Sequence, residues 1–242
     1  MIDRAVILAA GRGTRLGTLT AHRPKPLIEV GGRALLLRII DGLVDAGLSD
    51  VTVITGYLAE MVESAVRGER YPVEIEFRRQ MVFNGTAAAV ALARDRLADS
   101  PFFFAWGDIL VDDTNYASVI DAAGDGDGSL AVNAVDDPWA GAAVEIDATG
   151  FVTRIVEKPP PGTSRTPYNN SGFGVLPYEI WTHVDSLQTS PRGELELPRA
   201  IASLVEAGAR LRAFTVTGPW WDIGTPDDLT AARAAYDATY GG

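Results

Sequence analysis

The residues best suited to chemistry fall at turns. Leu8-Ala9-Ala10-Gly11-Arg12-Gly13-Thr14-Arg15-Leu16-Gly17 sets glycines at 11, 13 and 17 directly after an apolar run. That spacing is one residue longer than the dinucleotide fingerprint, and no Gly-Lys-Ser/Thr follows as a P-loop requires. Small residues still let backbone N–H groups approach a phosphate, and Arg15 can add charge-assisted bonds to its oxygens. A glycine turn that only reverses the chain is the alternative. Of 21 basic residues only Lys25 and Lys158 are lysines, in Arg23-Pro24-Lys25-Pro26-Leu27 and Val156-Glu157-Lys158-Pro159. In a chain that otherwise uses arginine they mark sites needing a compact ammonium, or are two chance surface lysines. Asp108 follows Phe102-Phe103-Phe104-Ala105-Trp106-Gly107, and Asp222 follows Gly218-Pro219-Trp220-Trp221. Taken singly each reads as a capping or turn residue. Meeting over a phosphate, the two would bind Mg²⁺, which prefers a few carboxylates plus substrate oxygens and water.

Composition narrows the classes. A chain of 242 residues with 47% hydrophobic and 22% charged residues is globular, not disordered, collagen-like or a disulfide framework. The absence of cysteine removes thiolate metal sites, thiol nucleophiles and iron–sulfur clusters, and His22 and His183 alone do not make a zinc site. A net charge of -11 argues against a nucleic-acid partner, which needs a basic surface. From Met1 to Arg38, however, seven basic residues stand against two acidic ones. That imbalance suits a small anionic ligand, or is a solvated basic face. No stretch reads as a signal peptide or membrane span, so the expectation is a cytoplasmic protein with no membrane partner.

The elements that must position these residues alternate. Ala5 to Leu8, Val51 to Ile54, Val73 to Phe77 and Phe102 to Ala105 read as strands; Ala34 to Ala46 (with Gly47 as C-cap), Ala59 to Val66 and Ala87 to Leu97 read as helices. This order predicts a mostly parallel sheet with helices on both faces, whose ligands sit at the carboxyl ends of strands. After the acidic, glycine-rich stretch Asp121 to Gly128 the pattern loosens. Ala143 to Ile146 and Phe151 to Val156 read as a hairpin, and Thr225-Pro226-Asp227-Asp228 as the start of a helix reaching about Tyr236. Strands beyond residue 130 show no regular crossover helices. With no linker or internal repeat, one domain spanning 1–242 is expected. An apolar helix face is compatible with a homo-oligomer and equally with core packing.

In order along the chain, Leu8 to Leu16, Pro24-Lys25-Pro26-Leu27, Gly85-Thr86-Ala87, Gly107-Asp108, Glu157-Lys158-Pro159, Asn170-Ser171-Gly172, Arg192-Gly193-Glu194-Leu195-Glu196 and Trp221-Asp222-Ile223-Gly224-Thr225-Pro226 resemble the motifs of the sugar-1-phosphate nucleotidylyltransferases, or nucleotide-sugar pyrophosphorylases. The resemblance implies a Rossmann-like three-layer αβα sandwich with a mixed, mainly parallel sheet, the nucleotide-diphospho-sugar transferase fold. It also implies Mg²⁺ and two substrates, a nucleoside triphosphate and a sugar 1-phosphate, condensed to a nucleotide sugar and pyrophosphate. Carried over by residue, Leu8, Ala9, Ala10, Gly11, Gly13 and Thr14 would surround the nucleotide, with Arg15 on the departing phosphates and Lys25 on the α-phosphate. Asp108 and Asp222 would hold the metal. Lys158 would grip the sugar phosphate, Glu157 and Asn170 would bond sugar hydroxyls, and Glu194 would shape the sugar pocket. The nucleotide-binding part would cover about 1–120 and the sugar-phosphate part about 121–242, with no C-terminal acyltransferase domain.

An anionic sugar phosphate attacking phosphorus in line needs no strong base, so cations carry such catalysis and the lack of a plausible catalytic His or Cys is expected. Gln80, with Gly85 and Thr86 just beyond it, stands where uridylyl and thymidylyl members place a base-reading glutamine, which implies UTP or dTTP; a polar loop residue is the alternative reading. The chain departs from the pattern at Met81-Val82-Phe83-Asn84, where many relatives carry proline and leucine. It departs again at Gly141-Ala142-Ala143, where the usual glycine is shifted or replaced. Competing readings are a cytidylyl- or guanylyltransferase acting on another sugar, polyol or alcohol phosphate, and a catalytically silent nucleotide-sugar sensor. Asp112-Asp113 lacks the carboxylate-x-carboxylate pattern of a glycosyltransferase and reads as the start of a turn or helix.

Overall fold

The structure is a computed structural model that describes residues 2–97 and 99–240, with side chains up to residue 238. The first apolar run forms β1 (Arg4–Leu8), followed by the short hairpin β2 (Glu29–Val30) and β3 (Arg33–Ala34), then α1 (Leu35–Asp45), β4 (Asp50–Thr55), α2 (Ala59–Arg67), β5 (Glu74–Arg79), α3 (Thr86–Ala91), α4 (Arg94–Leu97) and β6 (Phe102–Trp106). The second half contributes β7 (Ile109–Val111), α5 (Thr114–Ala122), β8 (Gly128–Ala134), β9 (Ala142–Ile146), β10 (Val152–Glu157), β11 (Tyr168–Leu176), α6 (Ile180–Asp185), α7 (Leu197–Glu206), β12 (Leu211–Thr215), β13 (Trp220–Asp222) and α8 (Pro226–Tyr240).

Nine strands form one mixed sheet in the order β10-β9-β11-β6-β1-β4-β5, with β8 paired to β11 and β12 paired to β8. Strands β6, β1, β4 and β5 are mutually parallel, and β11 runs antiparallel to β6. Both faces are buried, as continuous apolar strands require. In β1, Val6 and Leu8 enter one core while Ala5 and Ile7 enter the other; in β6, Phe102 and Phe104 divide from Phe103 and Ala105 in the same way. Helices α3, α6 and α7 cover the first face, and α1, α2 and α5 the second. The result is the mixed, helix-flanked αβα arrangement expected. Each fully buried phenylalanine contributes about 1.5–3 kcal/mol, so the Phe102-Phe103-Phe104 run anchors the strand whose end carries Gly107 and Asp108.

Local expectations fared unevenly. The helix start at Thr225 is a capping box: Thr225 Oγ1 accepts the N–H of Asp228 at 3.2 Å, and Asp228 Oδ2 accepts the N–H of Thr225 at 2.7 Å. Asp112 Oδ1 accepts from both the backbone and the hydroxyl of Thr114 at the head of α5. The hairpin is present as β9 and β10, with a register shift between Val152 and Arg154. Two readings need correction. The run Ala87 to Leu97 is not one helix: it breaks after Ala91 into α3 and α4, and the backbone between them turns through i→i+3 bonds. The region beyond residue 130 does contain a packed helix before a parallel strand, because α7 leads into β12, which runs parallel to β8.

Candidate active site

A cleft of about 570 Å³ opens at the carboxyl ends of β1 and β6. Its floor is assembled from three pieces of backbone. The loop after β1 supplies Leu8, Ala9, Ala10, Gly11, Arg12 and Arg15 to the lining. Lys25 comes from a single 3-10 turn, Lys25–Leu27, held between Pro24 and Pro26, and only 7% of the residue is exposed. Gly13, at φ +62°, lets the loop lie on the lysine stem: a Cβ there would stand 3.0 Å from Lys25 Cβ. The third piece is a two-stranded ribbon in which β13 pairs antiparallel with β7, placing Asp222 opposite Ile109. The N–H of Ile223 donates to the Asp108 carbonyl at 3.2 Å. That ribbon is why two aspartates so distant in sequence stand side by side.

Lys25 Nζ donates to Asp108 Oδ2 at 2.5 Å and lies 3.6 Å from Asp222 Oδ1. The Asp222 carboxyl is held above the usual aspartate range, first by the protein packed around it and then by repulsion from Asp108; Lys25 and Arg15 oppose the shift. Arg15 lies beside the chain leaving β13, its guanidinium within 3.2 Å of where a Gly224 Cβ would stand. Among the described residues no group of three or more His, Cys, Asp or Glu side chains is arranged to hold a metal. Two adjacent carboxylates with a strained charge balance still fit Mg²⁺, which takes few protein ligands and fills the rest of its shell with phosphate oxygens and water.

At the opposite end, Lys158 is exposed and lines the cleft. It adopts φ +47°, a left-handed conformation uncommon outside glycine, and its N–H donates to the Gly141 carbonyl at 2.8 Å. The neighbouring Glu157 carboxyl is pushed up, first by burial and then by Glu196, with Lys158 and Arg192 opposing. Arg192 reaches Glu157 at 3.2 Å and forms a closer pair with the buried Glu196, which also accepts from Ser190 Oγ at 3.1 Å. Asn170 Oδ1 accepts the N–H of Gly172 at 2.9 Å while its Nδ2 is buried without a partner.

The end of the cleft formed by Gln80, Gly85 and Thr86 is locked to this region. Gln80 Nε2 donates to the Gly85 carbonyl at 3.1 Å. Ala87 N–H donates to Leu195 O, Leu195 N–H donates to Asn84 O, and Leu197 N–H donates to Thr86 Oγ1 at 2.8 Å.

Leu8, Ala9, Ala10, Gly11, Arg15, Lys25, Gln80, Gly85, Thr86, Asp108, Glu157, Lys158, Asn170, Glu194 and Asp222 therefore border one cleft. Gly13 and Thr14 do not: Gly13 shapes the loop against Lys25, and Thr14 opens the exposed side of the 3-10 segment Thr14–Thr20. Sequence reasoning gave no individual role to Phe83, Trp106, Asn169, Arg192, Glu196 or Trp220 and took in Arg12 only as part of the Gly11 to Arg15 loop, although all of them line the cleft. Their signal was adjacency to selected residues. Arg12 lies over the Phe83 ring at 5.2 Å, and Trp220 Nε1 donates to the Ser171 carbonyl at 2.9 Å.

Comparison with known proteins agrees with the resemblance. A family model described as nucleotidyl transferase matches residues 4–239. The UTP–glucose-1-phosphate uridylyltransferase AglF of Haloferax volcanii is 33% identical over 95% of this chain and 95% of its own length. The mannose-1-phosphate guanylyltransferase catalytic subunit beta of Drosophila pseudoobscura pseudoobscura is 33% identical over 96% of this chain and 62% of its own. Several other curated relatives are likewise longer, the chain spanning from about half to two thirds of them. A UDP-glucose pyrophosphorylase solved with UDP-glucose superposes with a TM-score of 0.87 at 18% identity, covering 99% of this chain and 100% of that one, a likeness of fold.

Proposed function

The chain belongs to the nucleotidyl transferase family, and from that premise we propose that it transfers a nucleotidyl group from a nucleoside triphosphate to a sugar 1-phosphate, releasing pyrophosphate. The observation that carries this reading is Lys25, buried and bonded to Asp108 beside Asp222, on the floor of a cleft that Arg15 and Lys158 enter from separate segments. Two polyanions meeting at short range repel strongly in a partly desolvated site, and such a ring of cations offsets that repulsion.

In this reading residues up to about 120 hold the triphosphate and those from about 121 to 242 hold the sugar phosphate, within one nucleotidyltransferase domain. Gly11 and its neighbours offer backbone N–H groups to the triphosphate, and Arg15 neutralises the departing β- and γ-phosphates. Lys25 neutralises the α-phosphate, and Lys158 orients the sugar phosphate for in-line attack. Glu157 and Asn170 hold sugar hydroxyls, and Glu194 bounds their pocket. Asp108 and Asp222 hold Mg²⁺, whose chemistry when bound is to screen phosphate oxygens and favour the displacement. The attacking oxygen is already ionised, so no residue is asked to remove a proton.

The base is a pyrimidine, uracil or thymine. Gln80 directs the two donors of its Nε2 to the Gly85 carbonyl at 3.1 Å and to Asn84 Oδ1 at 3.5 Å, so what it offers a base is Oε1, an acceptor. That suits the N3–H of uracil or thymine; on cytosine N3 is bare and only the N4 amino group donates. The guanine edge also carries N–H groups, which together with the guanylyl relative keeps GTP as the second reading.

The test is a coupled pyrophosphate-release assay with Mg²⁺, crossing UTP, dTTP, CTP and GTP with a panel of sugar 1-phosphates and polyol phosphates. Turnover at least about tenfold faster with UTP or dTTP, equivalent to 1.4 kcal/mol of discrimination, is expected. Release from no pair would overturn the transferase reading and leave a silent nucleotide-sugar sensor.

A further inference from the structure

The far wall of the cleft is opened by a fork in the sheet. Along β11, Asn169 pairs with Ala143 of β9, whereas Phe173 to Leu176 pair with β6, leaving residues 170–172 between the two pairings. The register against β8 is irregular over the same stretch. Asn169 and Asn170 both line the cleft here, although a regular strand would send successive side chains to opposite faces.

Their carboxamides are left incomplete. Asn170 is 5% exposed, and the bond from the Gly172 N–H to its Oδ1 fixes the group so that Nδ2 is the free donor. Asn169 Oδ1 is a buried acceptor, also without a partner. Seven buried side-chain polar atoms among the described residues lack a partner, and these two are the ones bordering the cleft. Buried polar atoms are nearly always paired, so a neighbouring free donor and free acceptor on the wall of a ligand-sized cavity point to a ligand. Gly141 makes room for the arrangement: a Cβ there would stand 2.5 Å from Asn169 Nδ2 and 2.6 Å from its Oδ1.

We propose that Asn169 is a specificity-determining residue for the acceptor. Its Oδ1 and the Nδ2 of Asn170 together receive one uncharged ring substituent that both donates and accepts a hydrogen bond. The inference rests on the transfer to a sugar 1-phosphate proposed above. A hydroxyl and an acetamido group both satisfy the pair. A deoxy position leaves both protein atoms unpaired. A carboxylate gives Asn169 Oδ1 no donor.

The experiment measures kcat/KM for the best acceptor and for its monodeoxy, acetamido and uronate analogues, in the wild type, Asn169→Leu and Gly141→Ala, with melting curves on each. In the wild type one ring position is expected at which the deoxy analogue loses at least about 30-fold, since a site built to bond a hydroxyl strongly rejects its absence. Asn169→Leu should cut that loss to under about tenfold at this position alone, the remainder coming from Asn170, with penalties elsewhere and the KM for the triphosphate unchanged. Gly141→Ala, which drives the carboxamide out, should reproduce the pattern and serves as the second variant if Asn169→Leu folds poorly. The acetamido arm separates a hydroxyl reader from an amide reader. A uniform loss across all acceptors, or an unaltered profile, overturns the assignment while leaving the transfer intact; a wild type inert with every acceptor overturns both.

Discussion

Lys25 stands between two carboxylates that repel one another, and the tension at Asp222 has a measurable consequence. A raised carboxyl pKa means that the fold holds the proton more tightly than the unfolded chain does. The protonated form therefore stabilises the fold below the ordinary aspartate range, and that contribution is lost as pH rises through the folded pKa. Asp222→Asn keeps the shape and removes the charge. At neutral pH its melting temperature should equal or exceed that of the wild type, and the difference should shrink as pH falls through the folded pKa into the ordinary aspartate range. Turnover should fall at least about 100-fold, the scale of losing an electrostatic contact made in the transition state, with triphosphate binding by calorimetry largely retained. A variant both less stable and fully active would contradict the placement of Asp222 in the metal site. Stability gained and activity lost by one substitution is what a residue kept for chemistry shows.

At the level of elements, the glycines separate folding from function. Gly85 sits at φ +115°, and a Cβ there would come within 2.2 Å of the Leu195 carbonyl oxygen, a backbone atom that cannot swing away. Gly85→Ala should cost about 2 kcal/mol or more, lowering the melting temperature by about 4–8 °C in a chain of this size. Gly11 has no atom within 4 Å of the corresponding position and no positive φ. Gly11→Ala should leave the melting temperature within about 2 °C but raise the KM for the triphosphate, because the methyl group projects where backbone would approach phosphate. Equal stability losses in the two variants would refute this division. The same distinction explains what was legible in the sequence. The loop after β1, the lysine turn and the end of β6 are local, so their residues could be picked from strings such as Ala10-Gly11-Arg12-Gly13. The β7/β13 ribbon joins two three-residue strands distant in sequence, too short for any periodicity, and nothing before the fold revealed that Asp222 lies opposite Ile109. The break after Ala91 was hidden because alanine suits a helix whether or not it continues. Asn169 escaped notice because nothing in the sequence marks the fork in β11 that brings it to the same cavity as Asn170.

Across the whole molecule two fields compete for the anionic substrate proposed above. The protein carries a net charge of -11, while Arg15, Lys25 and Lys158 converge on the cleft. Which field a triphosphate feels depends on the screening length. A chain of this size has a radius of gyration of about 18 Å. At roughly 0.01 M salt the Debye length is about 30 Å, so an approaching anion senses the entire negative molecule. At about 0.15 M it is about 8 Å, and only the charges lining the cleft, its cations among them, lie within reach once the ligand arrives. Raising ionic strength from the first value to the second should therefore increase kcat/KM for the triphosphate. Further salt, towards 1 M, where screening reaches about 3 Å, should lower it again as the local contacts weaken. The maximum should appear in kcat/KM measured at fixed free Mg²⁺ and be weak in kcat, since steering acts on encounter rather than on chemistry. A monotonic fall from the lowest salt upward would mean that the cleft's own field extends beyond the molecular surface and outweighs the net charge at every distance. A monotonic rise would mean that the three cations contribute little to capture, and the electrostatic account of the site would have to be abandoned.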